Sequence, residues 1–313
     1  MSELDILLSI AIVAAVSINA LTSLYVIRRF QTVPATPSMV SGIATSKETE
    51  EQEEPDDAEE ASEDEEDKEA LKEQILARRA QLIHELEQER GSRVIQLIHR
   101  KEPWSSSEDE PEIVLEDSET ILQEIRETPA DTPIDFIIHT EGGLAFAADL
   151  IAMALKHHKG KVTVMVPFYA MSEGTCIALA AQEIMMEKYS VLCPLEPQLD
   201  DMPANSIIGI LKRKPIEQIS DRTILLAESA RMELENAREF VKWLLLDKMT
   251  EEQTNQVANF LVGGYMASST PITLDVARAI GLNVVEGVPE NVHRLFETIE
   301  FSTGARRPGK SYQ

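Results

Sequence analysis

Cysteine is scarce in this chain of 313 residues, which contains only Cys176 and Cys193, both in apolar stretches. Two cysteines make no disulfide framework, and their spacing is not that of a metal site. We expect two buried free thiols in a reducing compartment, with a disulfide between them as the alternative. The sequence also lacks a glycine-rich phosphate loop, an HExxH motif and a Cys/His ligand set, so we predict no cofactor and no metal.

Positive charge is scarce too, because 29 lysines and arginines face 55 aspartates and glutamates, and the formal net charge is −26. A chain this acidic repels the phosphates of nucleic acids, so we expect no nucleic-acid partner. Much of the negative charge lies between Glu48 and Glu69, after a stretch rich in proline, serine, threonine and alanine. Residues 31–69 are therefore predicted to form a flexible acidic linker. An acidic lure for a basic partner is the alternative role of this block.

One long run without charge lies near the N-terminus, over residues 6–27. Its 22 residues are enough to cross the hydrocarbon core of a bilayer. Glu3 and Asp5 precede it where a signal peptide would be basic, which favours an uncleaved transmembrane helix over a cleaved signal. Arg28 and Arg29 follow it directly, and the positive-inside rule assigns them to the cytosol. We therefore expect a single-pass protein of the cell membrane whose large domain faces the cytoplasm.

The remainder of the chain shows alternating strand and helix patterns. Leucine and isoleucine recur at heptad spacing over residues 70–91, which predicts an amphipathic helix that ends at Gly91. This helix is expected to dock on the domain that follows it or on a partner copy. From Ser92 onward strands alternate with helices, which is typical of an α/β fold with a largely parallel sheet. Residues 92–300 are predicted to form one folded domain, and residues 301–313 a flexible tail.

Two strand–turn–helix segments, about thirty residues apart, favour one acyl-transfer site. The first turn carries Gly142 and Gly143, whose adjacent N–H groups at a helix start suit an oxyanion. The second carries Ser172 at the next helix start, where a nucleophile would lie. A serine at a helix start is more often a cap, so it is the pairing of the two turns that points to catalysis.

The same segments carry a family resemblance. They include Ile137-Ile-His-Thr-Glu-Gly-Gly143, Tyr169-Ala-Met-Ser-Glu-Gly-Thr-Cys176, Pro194-Leu-Glu-Pro-Gln198 and the closing stretch from Pro271 to Leu282. With these motifs the chain resembles the serine dehydrogenase proteinase family of the Clp/crotonase superfamily, and is similar to signal peptide peptidase A. The resemblance implies a spiral of ββα units, a homo-oligomer and a serine endopeptidase acting on peptide or protein substrates. It also implies that Ser172 is the nucleophile and that Gly142 and Gly143 form the oxyanion loop.

The chain departs from the family pattern close to the expected chemistry. Glu173 stands where the family usually has glycine, and Tyr265–Ser269 replaces the stretch that carries the family's histidine and aspartate. Either His139, at a strand end, or Lys212, after an apolar run, is then the candidate base for Ser172. A catalytically inactive membrane scaffold or binding protein is the alternative function. Acyl-thioester chemistry of the crotonase type is a third reading.

Overall fold

The structure is a computed structural model that describes residues 57–102, 104, 112–264 and 266–299, with side chains from residue 69 onward. The predicted membrane segment 6–27, the first part of the linker and the tail 301–313 lie outside these residues. Within the described ranges no helix is long and apolar enough to cross a membrane. The chain divides into two compact units, one up to Asp67 and one from Lys68 onward, and the candidate site belongs to the second.

Helices and strands alternate through the described chain, as the sequence predicts. The helices are α1 (Asp57–Arg90), α2 (Leu115–Glu127), α3 (Ala145–His157), α4 (Glu173–Ala180), α5 (Ala204–Arg213), α6 (Asp221–Leu245), α7 (Glu251–Val262), α8 (Leu274–Ala279) and α9 (Glu290–Glu297). The strands are β1 (Arg93–Ile98), β2 (Ile134–His139), β3 (Val162–Val166), β4 (Tyr169–Ala170), β5 (Glu183–Met186), β6 (Val191–Leu192), β7 (Gln198–Leu199), β8 (Met202–Pro203), β9 (Ile272–Thr273) and β10 (Val284–Glu286).

The central element is a five-stranded sheet in the order β1-β2-β3-β5-β10, and every neighbouring pair in it is parallel. All residues of β2 and β3 are buried, as expected for strands that are covered on both faces. A smaller sheet has the order β4-β6-β9. The chain passes through β3, then β4, then α4, so a strand of each sheet precedes a helix, which is the order of a ββα unit. The predicted α/β fold with a parallel sheet is confirmed.

Helix α1 begins at Asp57, inside the stretch that we predicted as extended linker. Its first turns are rich in alanine and glutamate, which are strong helix formers, and this preference outweighs the like-charge repulsion on which the linker prediction was based. Only the later part of the helix docks on the domain: Leu82 and Leu86 are buried, whereas Leu71 is 54% exposed. Leu86 packs against Ile137 of the central sheet and against α9. Docking on the following domain, one of the two expected outcomes, is therefore what the chain does.

Strands β2 and β3 position the two turns of the candidate site. They are adjacent and parallel, so their carboxyl ends lie at the same edge of the sheet, where α/β folds place ligands. Beyond that edge the two connections pair with each other: the N–H of Met171 donates to the Thr140 carbonyl at 3.0 Å, and the N–H of Thr140 donates to that of Tyr169 at 3.4 Å. This pairing brings Gly142 and Ser172 side by side.

Candidate active site

Ser172 lies in a strained turn between β4 and α4. Its backbone has φ 47° and ψ −116°, a conformation that residues with a Cβ rarely adopt. Although it occupies the N-cap position of α4, its side chain makes no capping hydrogen bond, so the capping role weighed above is not the one it has. Gly174 allows the start of α4 to pack closely against the first loop, because a Cβ there would lie 2.6 Å from Cγ2 of Thr140. A strained strand-to-helix turn that presents a serine is typical of hydrolase nucleophiles.

The Gly142–Gly143 loop is clamped against Ile113. The N–H of Ile113 donates to the Gly142 carbonyl at 2.9 Å, and the N–H of Leu144 donates to the Ile113 carbonyl at 2.8 Å. Gly142 has φ 122° and Gly143 has φ 148°, both in the region that favours glycine. A Cβ on Gly143 would lie only 2.3 Å from the backbone nitrogen of Ile113. The loop therefore has a fixed shape that requires glycine at position 143.

The two glycine N–H groups do not point the same way, which corrects the expectation of a paired donor. The N–H of Gly142 donates to Oγ1 of Thr140 at 3.1 Å, so it is already used within the loop. The N–H of Gly143 instead lies near the carboxylate of Glu173, beside Ser172, and lowers the pKa of that carboxyl. The backbone N–H of Glu173 has the same effect on this pKa. The two donors beside Ser172 are thus Gly143, from the predicted loop, and Glu173, which sequence reasoning treated only as an intruding charge.

The Glu173 side chain points inward. Besides the two N–H groups, the Ser172 side chain also lies near this carboxylate and lowers its pKa. Its Oε2 lies 3.1 Å from where a Cβ on Gly142 would be, so it fills the hollow of the glycine loop. Burial raises the pKa of this carboxyl, while the hydrogen bonds from Ser172 and the backbone lower it.

Asp149 and Glu233 are two further acidic residues in the region of Glu173. Asp149 of α3 has its pKa raised to about 8 by burial and by the nearby charge of Glu173, and Glu233 of α6 has its pKa raised by burial. The Sγ of Cys176 lies 3.9 Å from Oδ1 of Asp149. In the described part of the chain, no lysine or arginine forms an ion pair with any of these three carboxyl groups. Asp149 was missed from sequence, although a single acid in the otherwise apolar start of a helix was a usable signal.

The protonation of Asp149 predicts an unusual pH dependence of stability. An acid whose pKa rises from 3.8 to about 8 on folding binds its proton more tightly in the native state, so stability is lost as the pH rises through this window. Replacing Asp149 with asparagine removes the titrating group but keeps the size of the side chain. We expect the stability of Asp149→Asn relative to the wild type to rise by on the order of 5 kcal/mol between pH 4 and pH 8.

Urea unfolding of the full-length protein at several pH values measures this difference. Asp131→Asn, at an exposed position, is the matched control and should follow the wild type at every pH. A constant difference between Asp149→Asn and the wild type from pH 4 to pH 8 would mean that Asp149 is not protonated on folding. Glu173 and Glu233 lie near Asp149, and their titration also contributes to the wild-type pH dependence. The contribution of Asp149 is therefore read from the difference between Asp149→Asn and the wild type.

His139 does not lie where a base for Ser172 is needed. It is completely buried, and Arg100 donates from Nε to its Nε2 at 2.9 Å, which occupies the nitrogen that would accept a proton. Burial and the Arg100 charge lower its pKa to about 3, so the ring is neutral. Its ring packs against Phe168, Tyr169 and Phe296. In the structure His139 is therefore a core residue behind the glycine loop.

Lys212 has no contact with Ser172 among the hydrogen bonds and ion pairs of the described residues. It is exposed in the last turn of α5 and makes no hydrogen bond to any described residue. Among the described residues no histidine or lysine bonds the Ser172 side chain. Of the sequence-predicted site residues, the structure brings together Ser172 and the glycine loop, and leaves His139 and Lys212 elsewhere.

The two cysteines are free and buried, as predicted, so the alternative of a disulfide between them is excluded. Cys193 belongs to the support of α4, because its N–H donates to Oγ1 of Thr175 at 3.0 Å. Across residues 57–102, 104, 112–264 and 266–299, no group of three or more histidine, cysteine, aspartate or glutamate side chains could hold a metal ion.

Comparison with known proteins adds a family to this geometry. A sequence model of the ClpP-like SDH-type serine proteinases matches residues 68–312, a range that includes both turns of the candidate site. The uncharacterized proteins MJ1495 and MJ0137 of Methanocaldococcus jannaschii are each 42% identical to the chain. The alignment with MJ1495 covers 74% of this chain and 80% of the relative, and that with MJ0137 covers 72% and 79%.

Two solved structures are also similar to the chain. One is a mutant of the 1510-N membrane-bound stomatin-specific protease, and the other is ClpP1 from Listeria monocytogenes. Each is 15% identical, with a TM-score of 0.39. The first similarity covers 66% of this chain and 82% of that protein, and the second covers 62% and 92%.

Proposed function

The chain belongs to the family of ClpP-like SDH-type serine proteinases, and from that premise we propose that it hydrolyses peptide bonds with Ser172 as its nucleophile. The observation that carries the proposal is the strained turn that presents Ser172 beside the Gly143 N–H group. A backbone conformation this costly persists only where the surrounding structure holds it, and such residues cluster at functional sites.

The proposed mechanism uses the two backbone donors beside Ser172. The Oγ of Ser172 attacks the peptide carbonyl carbon, and its proton passes to a base. The carbonyl oxygen, now negative, is bound by the N–H groups of Gly143 and Glu173. The C–N bond then breaks, the leaving amine takes a proton, and water hydrolyses the acyl-enzyme in a second round.

Of the two candidate bases, Lys212 and His139, we propose Lys212. The accepting nitrogen of His139 is filled by Arg100, whereas Lys212 is exposed and unbonded among the described residues. An exposed lysine can reach a site on a neighbouring copy of the chain, and burial between copies would favour the neutral amine that a base needs. This role rests on the homo-oligomer that we propose for the protein. Loss of activity in Lys212→Met with the oligomer intact would support it, and unchanged activity would exclude it.

Fluorophosphonate labelling tests the proposed function directly. We expect the full-length protein, purified in detergent, to gain one adduct, which mass spectrometry maps to Ser172. Ser172→Ala should take up none, because the probe reacts only with an activated hydroxyl. Labelling that persists in Ser172→Ala, or its absence from the wild type and from every variant that retains Ser172 under conditions where a known serine peptidase reacts, would contradict a Ser172 peptidase.

A second candidate function, a scaffold or binding protein of the same fold without catalysis, is favoured by one observation. The Glu173 carboxylate lies on the donors that an oxyanion would use. An intact oligomer that does not label in any variant would support the scaffold. Nothing in the described residues favours acyl-thioester chemistry.

Membrane anchoring is part of the proposal and is supported by the sequence of residues 6–27 and by Arg28 and Arg29. The large domain would then face the cytoplasm, and the protein would cleave peptides or proteins beside the membrane. A single cysteine introduced near the C-terminus should be inaccessible to a membrane-impermeant thiol reagent in intact cells. Modification of that cysteine in intact cells would contradict the proposed topology and place the large domain outside the cytoplasm.

A further inference from the structure

The carboxylate of Glu173 lies in the glycine loop, on the same side of Gly142 as Ser172. The Ser172 side chain, the Gly143 N–H and its own backbone N–H all lie near enough to lower its pKa. Oε2 reaches into the glycine loop, 3.1 Å from the place of a Cβ on Gly142. One carboxylate therefore engages the serine, the loop and the helix start at once.

The same two N–H groups are the donors that an attacked carbonyl needs. An oxyanion must lie about 3 Å from backbone donors that are fixed before the reaction. One position cannot hold the Glu173 carboxylate and a substrate oxygen together, and two negative oxygens at that distance would repel each other. While the carboxylate occupies this position, it also attracts the hydroxyl of Ser172.

The surroundings hold this carboxylate without a counter-charge. The ionisable groups near it are acidic or neutral: Asp149 on α3 and Cys176 on α4. Among the described residues no lysine or arginine is paired with it, so hydrogen bonds alone oppose its burial. Ser172 and Glu173 are nevertheless half-buried residues, so this part of the chain is in contact with solvent. The contact is therefore one that a bound substrate is able to displace.

We propose that Glu173 is a built-in occupant of the oxyanion site, which closes the free protein and must be displaced by substrate before Ser172 reacts. This rests on the proposed function, since the closed site is that of the Ser172 peptidase. Only open molecules react at Ser172, so the apparent rate of any reagent equals its intrinsic rate multiplied by the open fraction. Removal of the carboxylate should raise the open fraction, and therefore the apparent rate, without adding any new catalytic group.

The test is the rate of fluorophosphonate labelling of full-length Glu173→Ala, because the phosphonyl oxygen of the probe needs the same two N–H groups. We expect labelling at least about 10-fold faster than that of the wild type, which corresponds to a site that is closed about nine-tenths of the time. The double variant Ser172→Ala/Glu173→Ala should not label. Glu173→Gln keeps the length of the side chain and removes its charge, so it should label faster than the wild type and more slowly than Glu173→Ala.

Glu141→Ala is the matched control, since it removes an exposed carboxylate from the same loop without touching either donor. It should label at the wild-type rate. Folded Glu173→Ala and Glu173→Gln proteins that label no faster than the wild type would overturn the closure and leave the Ser172 peptidase standing. Failure of the wild type and all Glu173 variants to label would overturn both.

Discussion

Replacing Gly143 with alanine is expected to lower kcat/KM for peptide hydrolysis by about 10²-fold or more. The new Cβ would lie 2.3 Å from the backbone nitrogen and 2.5 Å from the carbonyl oxygen of Ile113. Neither backbone atom belongs to a flexible side chain, so the loop itself must move. The φ of 148° adds strain for any residue other than glycine. The N–H of residue 143 then leaves the position from which it would bind the oxyanion.

Gly209→Ala is the control for this prediction, because a Cβ at Gly209 meets nothing within 4 Å. It lies inside α5, where alanine is favoured over glycine, so activity and stability should be retained. Far-UV circular dichroism and gel filtration separate a displaced loop from an unfolded protein. If folded Gly143→Ala hydrolyses peptides within a few-fold of the wild type, the Gly143 N–H does not bind the oxyanion.

Replacing Arg90 with methionine is expected to lower the free energy of unfolding by about 3 kcal/mol or more. Arg90 ends α1 and forms a bidentate ion pair with Asp135 of β2, in which its Nη2 is 3.0 Å from Oδ1. Asp135 is only 2% exposed, and its remaining partner is the hydroxyl of Ser92, at 2.6 Å. Without the guanidinium the carboxylate stays buried and uncompensated, which is the costly way to break such a pair.

Two further variants locate the source of that loss. Arg231→Met breaks an exposed pair with Glu228 and should change stability by less than about 0.5 kcal/mol. Arg90→Met/Asp135→Asn removes both charges and should recover at least half of the stability lost in Arg90→Met, because a neutral amide costs less to bury. Urea unfolding of the full-length proteins measures all three. A double variant no more stable than Arg90→Met would assign the effect to lost packing of the arginine stem.

These two predictions concern different parts of the structure that positions the glycine loop. The Arg90–Asp135 pair joins the end of α1 to β2, the strand that leads into the glycine loop. Thr140 then links that loop to the Ser172 turn through Gly142 and Met171. We therefore expect Gly143→Ala to lose activity through a local displacement of the loop. Arg90→Met should lose activity only through the lower stability of the whole domain.

Local patterns in the sequence determined the scaffold of the site. Largely apolar segments between polar ones indicate the strands β2 and β3, because a strand that is covered on both faces is mostly apolar. The turns at Gly142 and Ser172 were recognisable because glycine and a strand-to-helix break are themselves local. The start of α1 was misjudged where two local tendencies, charge repulsion and helix propensity, opposed each other.

What only the tertiary structure decided is which atoms meet across those turns. The inward direction of the Glu173 carboxylate and the use of the Gly142 N–H by Thr140 depend on how two connections pair beyond the sheet. The neutrality of His139 follows from burial and from Arg100, and the raised pKa of Asp149 follows from burial and from Glu173. Burial and hydrogen-bond partners are set by residues distant in the chain, whereas the pattern of a strand or a turn is carried by its own residues. The sequence by itself thus determined where the serine and the glycine loop lie, and the packing of the fold decided that an acid closes the space between them.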